Sequence, residues 1–400
     1  MFENLLYQNA SLLLSSDIQA GKLPGALLFA GPSASGKLTC ALEVARVLSC
    51  AGEQRGNWLC ACDSCRLSKE LISQNMLLLG ARDCMGEINA AKKTFLTAAY
   101  NNALFLKAAQ YLFIRSVRKL TLRFSPILWE NDDKISKISP FLQAIDEKID
   151  SILPEKELAE NEELSSSCEE ITGECKKLSS SFMYESIPIS QIRNLSEWAR
   201  LKSASGKKII IIENIEQMNE SGRNALLKIL EEPPSGVVFI LTTTRRGSVM
   251  QTILSRVRTY TFSERSEKQQ EEVLSRVFHV SFGGTIDSYL QTFLPVSREA
   301  IFSVAREYFG EIMDGKIPVA AKIIKSCADF ESSFLFKSFL LGVQEASKNF
   351  SDPLSAEFAL RNVGAIRECY NNVSIYNQSF AAAIEKLTRD LTVNKNSLFR

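Results

Sequence analysis

The chain has 400 residues, room for two or three domains, and its 45% apolar share is that of an ordinary globular protein. A formal net charge of +1 excludes a polybasic nucleic-acid binder, so any DNA contact would come from local patches or from partner subunits. No stretch approaches the roughly 18 apolar residues of a membrane span.

The opening Met1-Phe2-Glu3-Asn4 carries an early acid and no basic flank, unlike a secretory leader. Ten cysteines spread over this length point to a reducing cytoplasm rather than a disulfide scaffold. In chain order, residues 4–20 read as a helix with Leu5, Leu12, Leu13, Leu14 and Ile18 apolar. Ala26–Ala30 is a short buried strand, Gly31–Lys37 a glycine-bearing turn and Leu38–Leu48 a helix. Cysteines cluster at 50–65, and Met76–Leu79 is a second strand. From about Arg82 to Met183 the periodicity is helical. The first half of this segment is basic, through Lys92, Lys93, Lys107, Arg115, Arg118, Lys119 and Arg123. The second half is acidic and Ser-rich and reads as a mobile linker. Order returns at Ile187. Ser190–Leu201 reads as a helix, Lys207–Ile212 as a strand, Glu220–Leu230 as a helix and Val237–Thr242 as a strand. This alternation predicts an α/β domain with a parallel sheet covered on both faces. After Phe262, breaks at Gly283-Gly284, Pro295, Gly315, Pro318 and Pro353 predict a small helical domain and then a larger helical bundle.

Gly31-Pro32-Ser33-Ala34-Ser35-Gly36-Lys37 fits G-x-x-x-x-G-K between a strand and a helix. Backbone N–H groups of such a loop cradle phosphates, and its lysine neutralises them. Leu38 stands where a Ser or Thr hydroxyl would hold Mg²⁺. Thr39 lies one residue on, rotated by about 100° around the helix. The expectation is ATP binding without hydrolysis, through Gly31, Ser35, Gly36, Lys37 and Thr39. A glycine turn that binds nothing is the alternative. The strand Ile209–Ile212 ends in Glu213-Asn214. Glu213 can approach a metal, but Asn214 cannot act as a general base. Cys50, Cys60, Cys62 and Cys65 give C-x9-C-x-C-x2-C, four thiolates in one loop that suit a structural zinc with no open position. Four reduced thiols are the alternative there. Cys40, Cys84, Cys168, Cys175, Cys327 and Cys369 lack such spacing and are expected in core or surface positions.

Further blocks are Ile187-Pro188-Ile189-Ser190-Gln191-Ile192-Arg193, Asn224-Ala225-Leu226-Leu227-Lys228, Leu230-Glu231-Glu232-Pro233-Pro234 and Ile253-Leu254-Ser255-Arg256-Val257. Together with the phosphate loop they resemble the clamp-loader branch of the AAA+ family, and within it the delta-prime type of bacterial DNA polymerase III subunit. The resemblance spans Leu23–Cys65, Ile187–Tyr260 and, more loosely, the C-terminal helices. There, Asn371–Asn377 ahead of Phe380–Leu391 looks like the last collar helices.

The resemblance implies a P-loop NTPase-like AAA+ domain over 1–263, holding a zinc module at 50–65 and an insertion at about 82–183. It implies an all-α lid over 264–313 and an all-α collar over 314–400. The family's Asp-Glu pair is here Glu213-Asn214, which implies lost hydrolysis. Arg256 would be an arginine finger acting in trans on a neighbour, and a helix-end arginine in a local carboxylate pair is the alternative. Thr242 would lie at a first sensor of nucleotide state, or simply in a threonine-rich strand end, while Arg298 lies near a second sensor position and reads first as a solvated helix arginine. The family's zinc spacing, usually C-x8-C-x2-C-x2-C, is shifted here at Cys60. The implied partners are gamma/tau-type and delta-type subunits in a hetero-oligomer, a sliding clamp, and primer-template DNA contacted through the complex. A gamma/tau-type ATPase subunit and a nucleotide-dependent regulatory scaffold are the rival readings. The insertion is foreign to the family's usual length. Its run Leu104–Phe124 reads as a helix packed on the core with a solvated basic face, and removing 90–181 is expected to leave the core folded.

Overall fold

A computed structural model describes residues 1–53, 55–184, 186–202, 206–330, 333–349, 355–374 and 378–398. Of the segment Asn371–Asn377, residues Ile375, Tyr376 and Asn377 lie outside the described residues. Two compact units follow one another, Met1–Phe293 and Leu294–Arg400.

The first unit is built on β1 (Ala26–Ala30), β2 (Met76–Leu79), β3 (Lys208–Ile212), β4 (Val237–Thr243) and β5 (Arg258–Thr261). They form one parallel sheet in the order β2-β3-β4-β1-β5. β1 to β4 are buried along their whole length, as their unbroken apolar runs require for strands covered on both faces. β5 escapes sequence reading because it is an edge strand that buries only Tyr260. The register brings Leu79 beside Ile212, Ile212 beside Leu241 and Ala30 beside Thr243. Gly31, Gly80, Glu213 and Thr242 therefore crowd one end of the sheet.

Helix α1 (Ala10–Gln19) starts six residues later than the expected 4–20, because residues 2–7 turn twice through left-handed backbone at Phe2 and Tyr7. It and α2 (Lys37–Ser49) cover one sheet face, with Leu14, Leu38, Leu42, Val44 and Val47 against Leu27, Phe29, Ile211 and Ile240. The short α3 (Asp63–Lys69) follows. The other face carries α4 (Met85–Tyr100), α5 (Leu106–Thr121), α6 (Ile135–Ser151), α7 (Asn161–Phe182), α8 (Ile189–Arg200) and α9 (Glu220–Glu231). Their Ile88, Phe95, Phe113, Val117, Ile145, Ile192 and Leu226 share one core with Leu28, Leu77, Ile210 and Phe239.

Two expectations for the insertion are corrected here. The acidic Ser-rich stretch is no linker but the 22-residue helix α7. Leu164, Cys168, Ile171, Cys175 and Leu178, spaced four and three apart, are all buried. Two cysteines serve as apolar residues in that stripe, and the glutamates and serines form the outer face. Nor is the basic face of α5 solvated. Arg115 donates to Ser68 O (3.3 Å) and Lys69 O (2.8 Å) at the end of α3, and Arg118, Lys119 and Arg123 hold Asp146, Glu87 and Glu213. Because α4–α7 complete the core of this sheet face, the insertion is part of the fold and not an appendage.

The chain then passes through α10 (Gln251–Leu254), β5, α11 (Glu267–Val277) and α12 (Ile286–Gln291). Ser266 and Gln269 close a capping box on α11. Leu274, Phe278 and Tyr289 pack with Ala90 of α4. The second unit holds α13 (Arg298–Met313), α14 (Ala320–Ser326), α15 (Ser333–Lys348), α16 (Ser355–Ser374) and α17 (Phe380–Leu398). Its core gathers Ile301, Tyr308, Phe336, Phe339, Ile384 and Leu387. The two units divide at 293/294, and α13 packs in the core of the second. The fold is thus the expected α/β AAA+ type domain followed by helical structure. No helix among the described residues is long and apolar enough to cross a membrane.

Candidate functional site

The loop Gly31–Lys37 links β1 to α2, and Gly36 supplies the left-handed turn (φ +91°) that opens the helix. A side chain at Gly36 would be strained at this φ, and its Cβ would also press within 2.8 Å of the movable Leu5 Cδ1. Lys37 is buried and folds back on its own loop. Its ammonium donates to Gly31 O (2.6 Å), to Pro32 O and to Ser35 Oγ (3.3 Å). Burial lowers the Lys37 pKa to about 8, against the upward pull of Glu213 and Glu216. Ser35 is turned inward and donates to Pro32 O at 2.8 Å. Arg265 spans the loop, donating to Ala34 O (2.5 Å) and to Leu6 O. Thr39 is half-buried one residue past Leu38, which is buried in the α2 packing. The cavity above the loop holds about 160 Å³ and is lined by Ser33, Ser35, Arg265 and the carboxylates Glu264 and Asp287. Small-molecule pockets usually span about 300–1,000 Å³.

The strand-end acid is engaged on both sides. Arg123 Nη2 donates to Glu213 Oε2, and Arg82 Nη1 donates to Glu213 Oε1 at 3.2 Å. Arg82 also holds Glu87 (2.7 Å), which Lys119 holds in turn. Gly80 must be glycine to let β2 and β3 end side by side, since a Cβ there would meet Glu213 O at 2.6 Å. Asn214 adopts left-handed backbone (φ 53°), and its side-chain amide donates to Ala81 O at 3.2 Å. Its backbone N–H donates to Thr242 Oγ1 at 3.3 Å, so the expected sensor threonine is tied to the strand-end pair. These groups do not fit a nucleotide-bound Mg²⁺. No hydroxyl stands at position 38, Asn214 has no proton-accepting carboxylate, and both oxygens of Glu213 already face guanidinium groups.

Arg256 sits elsewhere. It follows α10 and precedes β5, whereas the phosphate loop follows β1. The two strands run parallel, Leu27 beside Arg258 and Ala30 beside Thr261. Arg256 and the loop thus lie at opposite ends of the sheet, a strand length of roughly 13 Å or more apart. Arg256 is about a third exposed and pairs locally with Glu231 (2.8 Å) and Thr252 O (2.7 Å). Arg298 opens α13 in the second unit, and its guanidinium stands over Phe302 at 4.9 Å.

The four cysteines converge as their spacing predicts. Cys50 ends α2, Cys60 lies in the intervening loop, and Cys62 and Cys65 flank the start of α3. All four Sγ atoms lie within 4.8 Å of one another, with Cys50 and Cys60 3.7 Å apart. Zinc bonded to four sulfurs at about 2.3 Å would set them about 3.8 Å apart, so the donor set fits that metal. The tight C-x-C step does not prevent convergence. Against the cost of burial, the N–H groups of Cys65 and Ala51 draw the Cys62 thiol down to about 6, while burial and its neighbours Cys50 and Cys62 push Cys65 up, so without a metal the four thiols do not all ionise together. Arg46, buried on α2, donates to Cys65 Sγ (3.4 Å), Asn57 O (3.0 Å) and Gly56 O (2.9 Å) while paired with Glu43. The other six cysteines are all buried. Sequence reading missed Arg46, Arg82, Arg123 and Arg265. A cluster of basic residues was visible, but their acceptors lie as far as 259 positions away.

The model of the family described as DNA polymerase III, delta subunit, matches residues 7–141 and 142–266. A DNA polymerase III subunit delta' from Haemophilus influenzae is 32% identical over 83 residues, 20% of this chain and 25% of that protein. One from Bacillus subtilis is 36% identical over 90 residues, 22% and 27% of the two chains. A gamma/tau subunit from Mycobacterium tuberculosis is 27% identical over 161 residues, 40% and 26%. The chain thus spans about a quarter of the length of these relatives. A solved gamma subunit-related protein from Thermotoga maritima overlaps 56% of this chain and 88% of its own, with 17% identity and a TM-score of 0.27. Since the family model covers well over half of the sequence, the protein belongs to the DNA polymerase III delta-subunit family of clamp-loader proteins.

Proposed function

We propose that this chain is the non-hydrolysing, delta-prime-type member of a hetero-oligomeric clamp loader. In this reading it helps seat a sliding clamp on primed DNA in the cytoplasm, beside gamma/tau-type and delta-type subunits. It turns over no ATP itself and lends Arg256 to the ATP site of a neighbour. The position of Arg256 carries the proposal. An arginine at the far end of the sheet from its own phosphate loop can serve only a nucleotide held by another chain. Its pair with Glu231 is partly exposed, and such pairs are weak enough to exchange for a phosphate. The engaged Glu213, with Leu38 and Asn214, supports the loss of hydrolysis. The four cysteines hold a structural zinc that fixes the end of α2 to α3, and metal analysis of the purified chain finds about one zinc per molecule.

The test is steady-state ATPase of the chain alone, and of its mixture with a gamma/tau-type subunit, clamp and primed DNA. The chain alone is inactive. In the mixture Arg256→Ala costs the site it faces about 10³-fold or more. Robust turnover by the isolated chain would make it a motor subunit instead.

A further inference from the structure

Glu213 ends β3, the place from which a carboxylate reaches the divalent ion of a P-loop site. Arg123 takes one of its oxygens and Arg82 the other. Arg123 is wholly buried and spends its remaining donors on Gly80 O (2.8 Å, through Nε) and Lys119 O. It is also held from behind. Trp129 Nε1 donates to Arg123 O at 2.9 Å, and the Trp129 ring stacks on Phe124. Arg123 lies in the short 3-10 turn Leu122–Phe124 just past α5, inside the insertion, and its guanidinium bridges the ends of β2 and β3. A guanidinium keeps its charge at any physiological pH, and its planar fork matches a carboxylate.

We propose that Arg123 is the resident cation of this site, supplied by the insertion in the place of a divalent metal. The proposal deepens the non-hydrolysing reading above and rests on it. A carboxylate buried at a strand end needs a positive partner. Where a nucleotide-bound metal provides that partner, the strand ends are complete only in the loaded state. Here the protein provides it permanently, so the ends of β2 and β3 are fixed whatever ligands are present. The insertion thus converts a ligand-dependent position into a static one, which suits a subunit whose role is to stay rigid while others cycle.

The test uses the full chain by itself, with Mn²⁺ as the probe in the presence of ATP. Thiolates are poor ligands for Mn²⁺, so the cysteine cluster does not interfere. Measured against a blank with the same Mn²⁺ and ATP, wild type leaves the free-ion electron paramagnetic resonance signal unchanged, and millimolar Mn²⁺ leaves its melting temperature unchanged. Arg123→Met melts about 10 °C lower and regains several degrees in Mn²⁺, a gain that Arg123→Met/Glu213→Met lacks. If Arg123→Met does not fold, recovery of a cooperative melt in the double variant, which removes both charges, is the expected result. A double variant no more stable than the single one overturns the pairing. Mn²⁺ binding by wild type that Glu213→Gln abolishes overturns the proposal outright. The Arg256 experiment reads a neighbour's ATP in a mixture, so either result can fail while the other stands.

Discussion

At the scale of single residues, the insertion meets the strand ends through a chain of charges, Lys119–Glu87–Arg82–Glu213–Arg123. Glu87 is its second link. Burial alone would raise its carboxyl, but Lys119 and then Arg82 outweigh this and hold it down to about 2. A carboxyl held below its ordinary value stabilises the fold above that value, and the contribution fades as pH falls through the folded one. Glu87→Gln leaves Lys119 without its acid and should cost about 3–5 kcal/mol in urea unfolding near neutral pH. The gap from wild type narrows as pH drops from about 4.5 toward about 2. A gap that stays constant across that window would show that folding does not lower the Glu87 carboxyl. The phosphate loop, Glu213-Asn214 and the four cysteines were legible because each motif is contiguous and its spacing carries the chemistry. The arginines were not. Periodicity says which face of a helix a charge occupies, but not whether an acid waits for it on a strand end some 90 positions on, as Glu213 does for Arg123.

At the scale of elements, the four fully buried strands β1–β4 and most helices followed from runs and breaks in the sequence. β5 did not, being an edge strand with one buried side chain. Nor did α7, because its composition resembles a solvated tether and only the positions of Leu164, Cys168, Ile171, Cys175 and Leu178 reveal a buried stripe. Leu178→Ala should therefore cost about 2–5 kcal/mol, as a core truncation does, and not the small change of a linker position. Excision of 90–181 uncovers the sheet face that carries Leu77, Ile210 and Phe239, and the remaining chain should lose its cooperative melt by circular dichroism. A shortened protein that melts as sharply as the parent would return the insertion to the status of an appendage.

At the scale of the whole molecule, a formal charge of +1 gives no long-range field to draw in a polyanion. The isolated chain should bind primed DNA more weakly than about 10⁻⁶ M at physiological salt, measured by fluorescence anisotropy, with affinity appearing only in the assembled complex. Tight, salt-sensitive binding by the chain alone would point to a concentrated basic surface. The strand order has a separate consequence for how the protein is made. β1 is wholly apolar, yet both of its neighbours, β4 and β5, are encoded more than 200 residues later. At about 5–20 residues per second, a ribosome needs on the order of 10–40 s to deliver them. Through that interval this buried inner strand has nothing to pair with, which makes the nascent chain a client for whatever shelters exposed hydrophobic segments during synthesis.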